Sequence, residues 1–222
     1  RDRLRSRGLG DVYKRQEQTF INQLVHNTFV AHAKVVEKVH TITDAKVLGM
    51  VIYIPAYAAT CNPLDELESR NQMALTDMYF DMFTYGEYSS YMMAKMKNEN
   101  NLPKMLDGDL ELLKKNKVDW LSLSYYFSTV ASHGKLSIEM NGNAKAATNP
   151  YLKASEWGWQ IDPLGLRIGL RDIYAKYRLP IMVVENGFGM RDILENETVI
   201  DDTRIDSVSY THLRAHETGA YL

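Results

Sequence analysis

Seven residues, Ile181-Met182-Val183-Val184-Glu185-Asn186-Gly187, constrain this chain more than any other stretch. An unbroken aliphatic run between Pro180 and an Asn-Gly pair reads as a short strand buried on both faces, the pattern of a parallel sheet covered by helices. Sheets of that kind build their sites at the carboxyl ends of their strands. Glu185 stands at that end, where an ionised side chain can face a cleft. The alternative is a glutamate that merely ends a strand beside a hairpin turn, since Asn-Gly is also a strong hairpin signal.

Ahead of this run the chain alternates helix and strand. Residues 18–40 read as a helix with Phe20, Leu24, Phe29, Val35, Val36 and Val39 on an imperfect apolar face. Residues 46–54, KVLGMVIYI, read as a buried strand, and residues 70–97 as a long helix carrying Leu75, Met78, Tyr79, Met82 and Phe83. Residues 118–126 form the next strand, in which Trp120, Ser122, Ser124 and Tyr126 share one face and Leu121, Leu123 and Tyr125 the other. Asp162 caps a last helix, Pro163 suits its first turn, and Leu166, Leu170, Ile173, Tyr174 and Tyr177 repeat along it. Pro180 then stops the helix and admits the Glu185 strand. Helix and strand in alternation define an α/β chain with parallel crossovers. Long segments at 55–69 and 127–158 follow strand ends, where loops build sites.

Four motifs occur in order around Glu185. Leu123-Ser124-Tyr125-Tyr126 ends a strand, Gly158 to Leu166 reads GWQIDPLGL, Glu185-Asn186-Gly187 follows, and Asp201 to Asp206 reads DDTRID. With the wording of residues 149–189, NPYLKASEWGWQIDPLGLRIGLRDIYAKYRLPIMVVENGFG, this order resembles glycoside hydrolase family 1, and within it the bacterial 6-phospho-β-glucosidases. The resemblance implies a fragment of a (β/α)8 TIM barrel, with the three strands as the fifth, sixth and seventh of eight. It covers roughly residues 17–206. Residues 1–16, with six basic and two acidic side chains, and residues 207–222, SVSYTHLRAHETGAYL, do not fit the family and look like non-native tails. A basic arm for nucleic acid or membrane is the other reading of residues 1–16.

The resemblance also assigns roles. Glu185 becomes the catalytic nucleophile of a retaining glycosidase, and Tyr126 the phenol that hydrogen-bonds and orients it, stabilising its charged form. The alternative for Tyr126 is a core tyrosine with a satisfied hydroxyl. Trp159 aligns with a tryptophan flanking the aglycone subsite, where an indole can meet the C–H face of a sugar, although a structural tryptophan within the helix layer is the alternative. Ser124, where relatives acting on unphosphorylated sugars usually carry Asn, points to the phospho-specific branch and to substrate binding. Lys153 stays unassigned, because a lone surface lysine is usually just solvated.

A retaining glycosidase needs a second carboxylate about 5 Å from the first as acid/base. The family carries it in an Asn-Glu-Pro-like motif on the fourth strand, and no Asn-Glu-Pro occurs in this sequence. Asn62-Pro63 lacks the glutamate, so neither Glu66 nor Glu68 qualifies. The expectation is a 6-phospho-β-glucosidase fragment, inactive alone, acting in its whole form on a phosphorylated β-glucoside with no metal or organic cofactor. A β-glucosidase or 6-phospho-β-galactosidase of the same family, and a non-catalytic truncated product, stay open.

Composition excludes little but is consistent. Over 222 residues, 45% hydrophobic, the formal charge is −2, and removing the tails leaves the middle at −6, which gives no reason to expect nucleic acid. No run approaches a membrane span. One cysteine, Cys61, forms no internal disulfide and suits a reducing compartment, so cytoplasm is expected. His26, His32 and His40, spaced six and eight apart, lack the spacing by which two imidazoles on one helix grip a metal. Asp107-Gly108-Asp109 reads as a turn with helix-capping acids. Oligomeric state is not legible.

Overall fold

The computed structural model describes residues 2–134, 138–141, 144–187, 189–191, 194–195 and 198–199. The DDTRID motif and the C-terminal stretch 207–222 lie outside the described residues. The elements run α1 (Asp2–Ile42), β1 (Leu48–Ile52), β2 (Ala56–Ala58), α2 (Pro63–Tyr85), α3 (Ser90–Asn98), α4 (Asp109–Lys115) and β3 (Trp120–Tyr125). There follow β4 (Thr129–Ala131), β5 (Ile138–Asn141), β6 (Ala144–Ala147), α5 (Pro163–Tyr177), β7 (Ile181–Asn186), β8 (Leu194–Glu195) and β9 (Thr198–Val199). The chain divides into two compact units, Arg1–Gly49 with Asp77–Trp120, and Met50–Thr76 with Leu121–Leu222.

The first unit is helical. α1 starts at Asp2 and not near residue 18, so the basic N-terminal stretch continues the helix. The buried stripe of α1 is His26, Phe29, Ala33 and Val36, while Phe20, Leu24 and Val35 are exposed. Steps of three and four put the buried four on one face; a histidine and an alanine among them blur the hydropathy signal. Phe29 meets Tyr79 and Phe83 edge-on, with centroids 5.2 and 5.6 Å away. The helix expected over 70–97 is two helices, α2 and α3. Gly86, at φ 70°, takes a left-handed conformation that ends the first. Ser89 then caps the second, accepting from the Met92 N–H. The Asp107-Gly108-Asp109 turn precedes α4, and Asp109 Oδ2 accepts from the Leu106 N–H at 2.7 Å.

The three helix histidines have separate protein partners. His26 lies between Tyr88 Oη at 3.0 Å and Asp109 Oδ2 at 3.2 Å. His32 lies 3.2 Å from the Leu48 carbonyl and His40 2.8 Å from Asp119 Oδ2. Among the described residues no group of three or more His, Cys, Asp or Glu is placed to hold a metal.

In the second unit a three-stranded sheet has the order β1-β3-β7, with β3 and β7 parallel. The pairing Leu121↔Ile181, Ser122↔Met182, Leu123↔Val183 is regular, and then Ser124 pairs with Glu185, leaving Val184 as an extra residue. Leu121, Leu123 and Tyr125 are buried. The buried stripe of α5 is Gly165, Leu166, Gly169, Ile173 and Tyr177, whereas Tyr174, expected on that face, is exposed. The glycines explain the substitution: a Cβ on Gly165 would lie 2.3 Å from Tyr125 Oη, so only glycine lets the helix come this close. Asp162 caps α5 as expected, its Oδ1 accepting from the Gly165 N–H at 2.9 Å.

Two sequence expectations change here. β7 is not buried on both faces: Met182 and Val184 are each 42% exposed, and among the described residues β3 is its one partner strand. The segments expected as loops hold a second, four-stranded sheet in the order β2-β4-β6-β5. Its strands are three or four residues long, too short for alternation to announce them.

Candidate active site

Glu185 leaves β7 one residue before its end, and its side chain is solvent-exposed. Strict alternation from Met182 would put Val184 on the Met182 face and turn Glu185 to the other. The bulge at Val184 resets the count and makes Glu185 the register partner of Ser124. Tyr126, immediately after β3, donates its Oη hydrogen to Glu185 Oε2 at 3.2 Å. Burial first, then this bond and the adjacent carboxylate, raise the Tyr126 phenol above its ordinary value, so it stays a donor at neutral pH. Asn186 Nδ2 donates to the Tyr125 carbonyl at 3.1 Å and ties the two strand ends together.

Trp159 approaches from the loop before α5. Its ring lies edge-on to Tyr126 at 5.4 Å and tilted to Phe127 at 5.6 Å. All four residues expected at the site, Glu185, Tyr126, Ser124 and Trp159, are therefore linked in the second unit. Two of them carry buried polar atoms with no hydrogen-bond partner, Ser124 Oγ and Trp159 Nε1. Buried polar groups are nearly always paired, which makes these two atoms exceptions.

The support beneath the site was not read from the sequence. Asp162 is buried, and besides capping α5 its Oδ2 accepts from Tyr57 Oη at 2.8 Å and Ser128 Oγ at 2.6 Å. Tyr125 Oη donates to the Asp162 carbonyl. Gln160 is also buried, donating to the Asn149 carbonyl at 2.8 Å and accepting from its N–H at 2.7 Å. Together they fix the 149–162 loop that carries Trp159. The capping motif signalled only one of these bonds; the others join residues up to 105 positions apart. Glu66 and Glu68 face Arg70 and Gln72 along α2. Lys153 is exposed. In the first unit a cavity of about 320 Å³ is lined by Tyr88, Met93, Leu110 and the Glu87–Lys114 ion pair, and holds none of the site residues.

A parallel strand pair backed by a helix, with a tyrosine-held carboxylate at a strand end, is the local arrangement of an α/β layer that carries its polar groups at the strand ends. The sequence profile of glycosyl hydrolase family 1 matches residues 10–218, wider at both ends than 17–206, and the chain belongs to that family. It is 38% identical over 202 residues to the aryl-phospho-β-D-glucosidase BglH of Bacillus subtilis (strain 168), covering 89% of this chain and 43% of that protein. It is 40% identical over 191 residues to a 6-phospho-β-glucosidase of Clostridium longisporum, covering 82% and 40%. In structure it resembles a β-glucosidase from Exiguobacterium marinum, with a TM-score of 0.70 at 27% identity, covering 87% of this chain and 44% of the other. The chain thus spans less than half the length of these relatives and is a fragment of a TIM barrel.

Proposed function

We propose that the chain carries the nucleophile half of a retaining glycosidase site acting on 6-phospho-β-glucosides. The observation that carries this reading is the Tyr126 Oη to Glu185 Oε2 hydrogen bond, made beside the unpartnered Ser124 Oγ. In the first step a Glu185 oxygen attacks the anomeric carbon, the glycosidic bond breaks, and the aglycone oxygen leaves with a proton from an acid. Tyr126 holds the attacking carboxylate in place and, as the new bond takes up its charge, keeps donating to the oxygen left free. Water then attacks the same carbon, a general base takes its proton, and the Glu185 carboxylate is released. On this reading Ser124 and Trp159 bind the sugar, and the Trp159 ring walls the aglycone side; the unpartnered Ser124 Oγ and Trp159 Nε1 support it. No step calls for a metal or organic cofactor.

The phospho-sugar reading is supported by the names of the two relatives quoted above and by Ser124 itself. The acid/base is not among the residues of this chain on our reading, so the isolated chain does not turn over glycosides with ordinary leaving groups. No described helix is long and apolar enough to cross a membrane, and with one exposed thiol, Cys61, we place the reaction in the cytoplasm.

The test is covalent trapping. A 2-deoxy-2-fluoro-β-glucosyl fluoride carrying a 6-phosphate needs little acid assistance, and its fluorine slows release. Mass spectrometry should find one adduct on the peptide containing Glu185, absent in Glu185→Gln. An adduct unaffected by that substitution, or none at all, overturns the reading. The unphosphorylated and galacto-configured fluorides separate the same-family alternatives by their trapping rates.

A further inference from the structure

We propose that Ser128 and Tyr125 are positioning residues for the reaction: anchored on the buried Asp162, they hold Tyr126 between them where its phenol meets Glu185. The role rests on Glu185 as the nucleophile and deepens that reading by naming what fixes the group that orients it.

Tyr126 needs such a hold because no strand pairing supplies one. β3 ends at Tyr125 and β4 begins at Thr129, so residues 126–128 lie between two strands and belong to neither. Yet the phenol in this gap makes the one side-chain hydrogen bond to the Glu185 carboxylate among the described residues. At 3.2 Å that bond is already longer than the usual O–H···O range, so a small shift of the donor's backbone breaks it.

Both sides of the gap are tied to one residue. On the near side Tyr125 Oη donates to the Asp162 carbonyl, and the Tyr125 carbonyl accepts from Asn186 Nδ2 at 3.1 Å. On the far side Ser128 Oγ donates to Asp162 Oδ2 at 2.6 Å, and the Thr129 N–H donates to the Pro55 carbonyl at 2.8 Å. With 2%, 0% and 5% of their surfaces exposed, Tyr125, Ser128 and Asp162 make their bonds where water does not compete.

Asp162 is a firm anchor. Its Oδ1 caps α5 through the Gly165 N–H at 2.9 Å, and its Oδ2 also accepts from Tyr57 Oη at 2.8 Å. A Cβ on Gly165 would lie 2.5 Å from that same Oδ2 and 2.3 Å from Tyr125 Oη, so glycine lets both groups sit against the helix end. The carboxylate that starts the helix thereby also sets the strand end. Packing alone does not call for a hydroxyl at 128. Alanine would fill nearly the same space, and what serine adds is a directed bond two residues after Tyr126.

The test is the rate at which the 2-deoxy-2-fluoro-β-glucosyl fluoride 6-phosphate labels Glu185 in the full chain, measured across reagent concentrations and below every variant's thermal midpoint. Ser128→Ala and Tyr125→Phe each remove one anchor, and each is made alone and together with Tyr126→Phe. Alone, each should lower the maximal labelling rate roughly three- to tenfold with the half-saturating concentration unchanged, because a misplaced orienting group slows the step and not the binding. Combined with Tyr126→Phe, each should change the rate by less than about twofold, since the group it places has already lost its hydroxyl. A general loosening of the site would instead slow labelling by the same factor with and without that hydroxyl. Such an additive result, or a wild-type rate in either folded variant, overturns the positioning role and leaves the nucleophile standing. If the wild-type chain is not labelled at Glu185, the nucleophile assignment fails and the positioning role fails with it.

Discussion

Ser124 and Glu185 are register partners across β3 and β7 because Val184 is left out of the ladder. In an unbroken pairing Ser124 would face Val184, and Glu185 would lie beside Tyr125, whose side chain goes to the α5 cap. One inserted residue thus decides whether the carboxylate meets Tyr126 or the helix layer. Bulges commonly re-aim a side chain next to an active site, and this one acts at the residue the chemistry needs.

Removing the Tyr126 hydroxyl tests the pair directly. Hydrogen bonds to charged groups contribute about 1.5–3 kcal/mol, and here the bond orients the attacking oxygen. Tyr126→Phe should slow trapping of Glu185 roughly tenfold to a hundredfold while leaving the thermal midpoint nearly unchanged. A trapping rate equal to wild type would contradict the assigned role.

Asp162 should matter for stability more than an ordinary helix cap. Losing an N-cap aspartate costs about 1 kcal/mol, and Asp162→Ala also removes the charged acceptor of the Tyr57 Oη and Ser128 Oγ hydrogen bonds, each contributing about 1–3 kcal/mol. Urea unfolding should show a loss of about 3 kcal/mol or more, with Asp162→Asn, which keeps a cap acceptor, losing less. A loss near 1 kcal/mol in the alanine variant would mean that the two bonds to Asp162 add nothing beyond the cap.

Gly165→Ala should destabilise although alanine is the better helix former. The added methyl would meet Tyr125 Oη at 2.3 Å and Asp162 Oδ2 at 2.5 Å. Overpacking of that kind costs about 1–3 kcal/mol, against roughly 1 kcal/mol gained in propensity. A midpoint above wild type would show that α5 can shift away from β3.

Acid should weaken the second unit through Asp65. The hydrogen bond from Thr60 Oγ1, then the His133 N–H, hold its carboxyl below the ordinary value, and Ser132 Oγ adds a third bond. Because the folded value is lower than the unfolded one, near 3.9, the unfolded chain binds more protons in acid. The stability Asp65 contributes is complete above about pH 4 and is lost as pH falls through the folded value. Thermal midpoints measured from neutral to acid pH should fall less steeply below that point in Asp65→Asn than in wild type. Parallel curves would remove Asp65 as the cause.

Much of this was legible in the sequence where local chemistry repeats. Asp162-Pro163 announced the start of α5, and the aliphatic run after Pro180 announced β7. The four site residues were read from motif wording, and the structure brings them together. What escaped was set by contacts between distant residues. The buried stripe of α1 passes through His26, whose partners Tyr88 and Asp109 are 62 and 83 positions away. Gly165 and Gly169 carry no hydropathy signal, yet they let α5 reach the strand tyrosines. The bulge at Val184 leaves no mark in composition, since Val183 and Val184 are the same residue type.

The most direct measurement is the mass of the Glu185 peptide after incubation with the fluoroglucosyl fluoride 6-phosphate. A single glycosyl adduct on Glu185, lost in Glu185→Gln and slowed in Tyr126→Phe, is the result this account predicts. A chain that stays unlabelled while folded, or one labelled at another carboxylate, would contradict it.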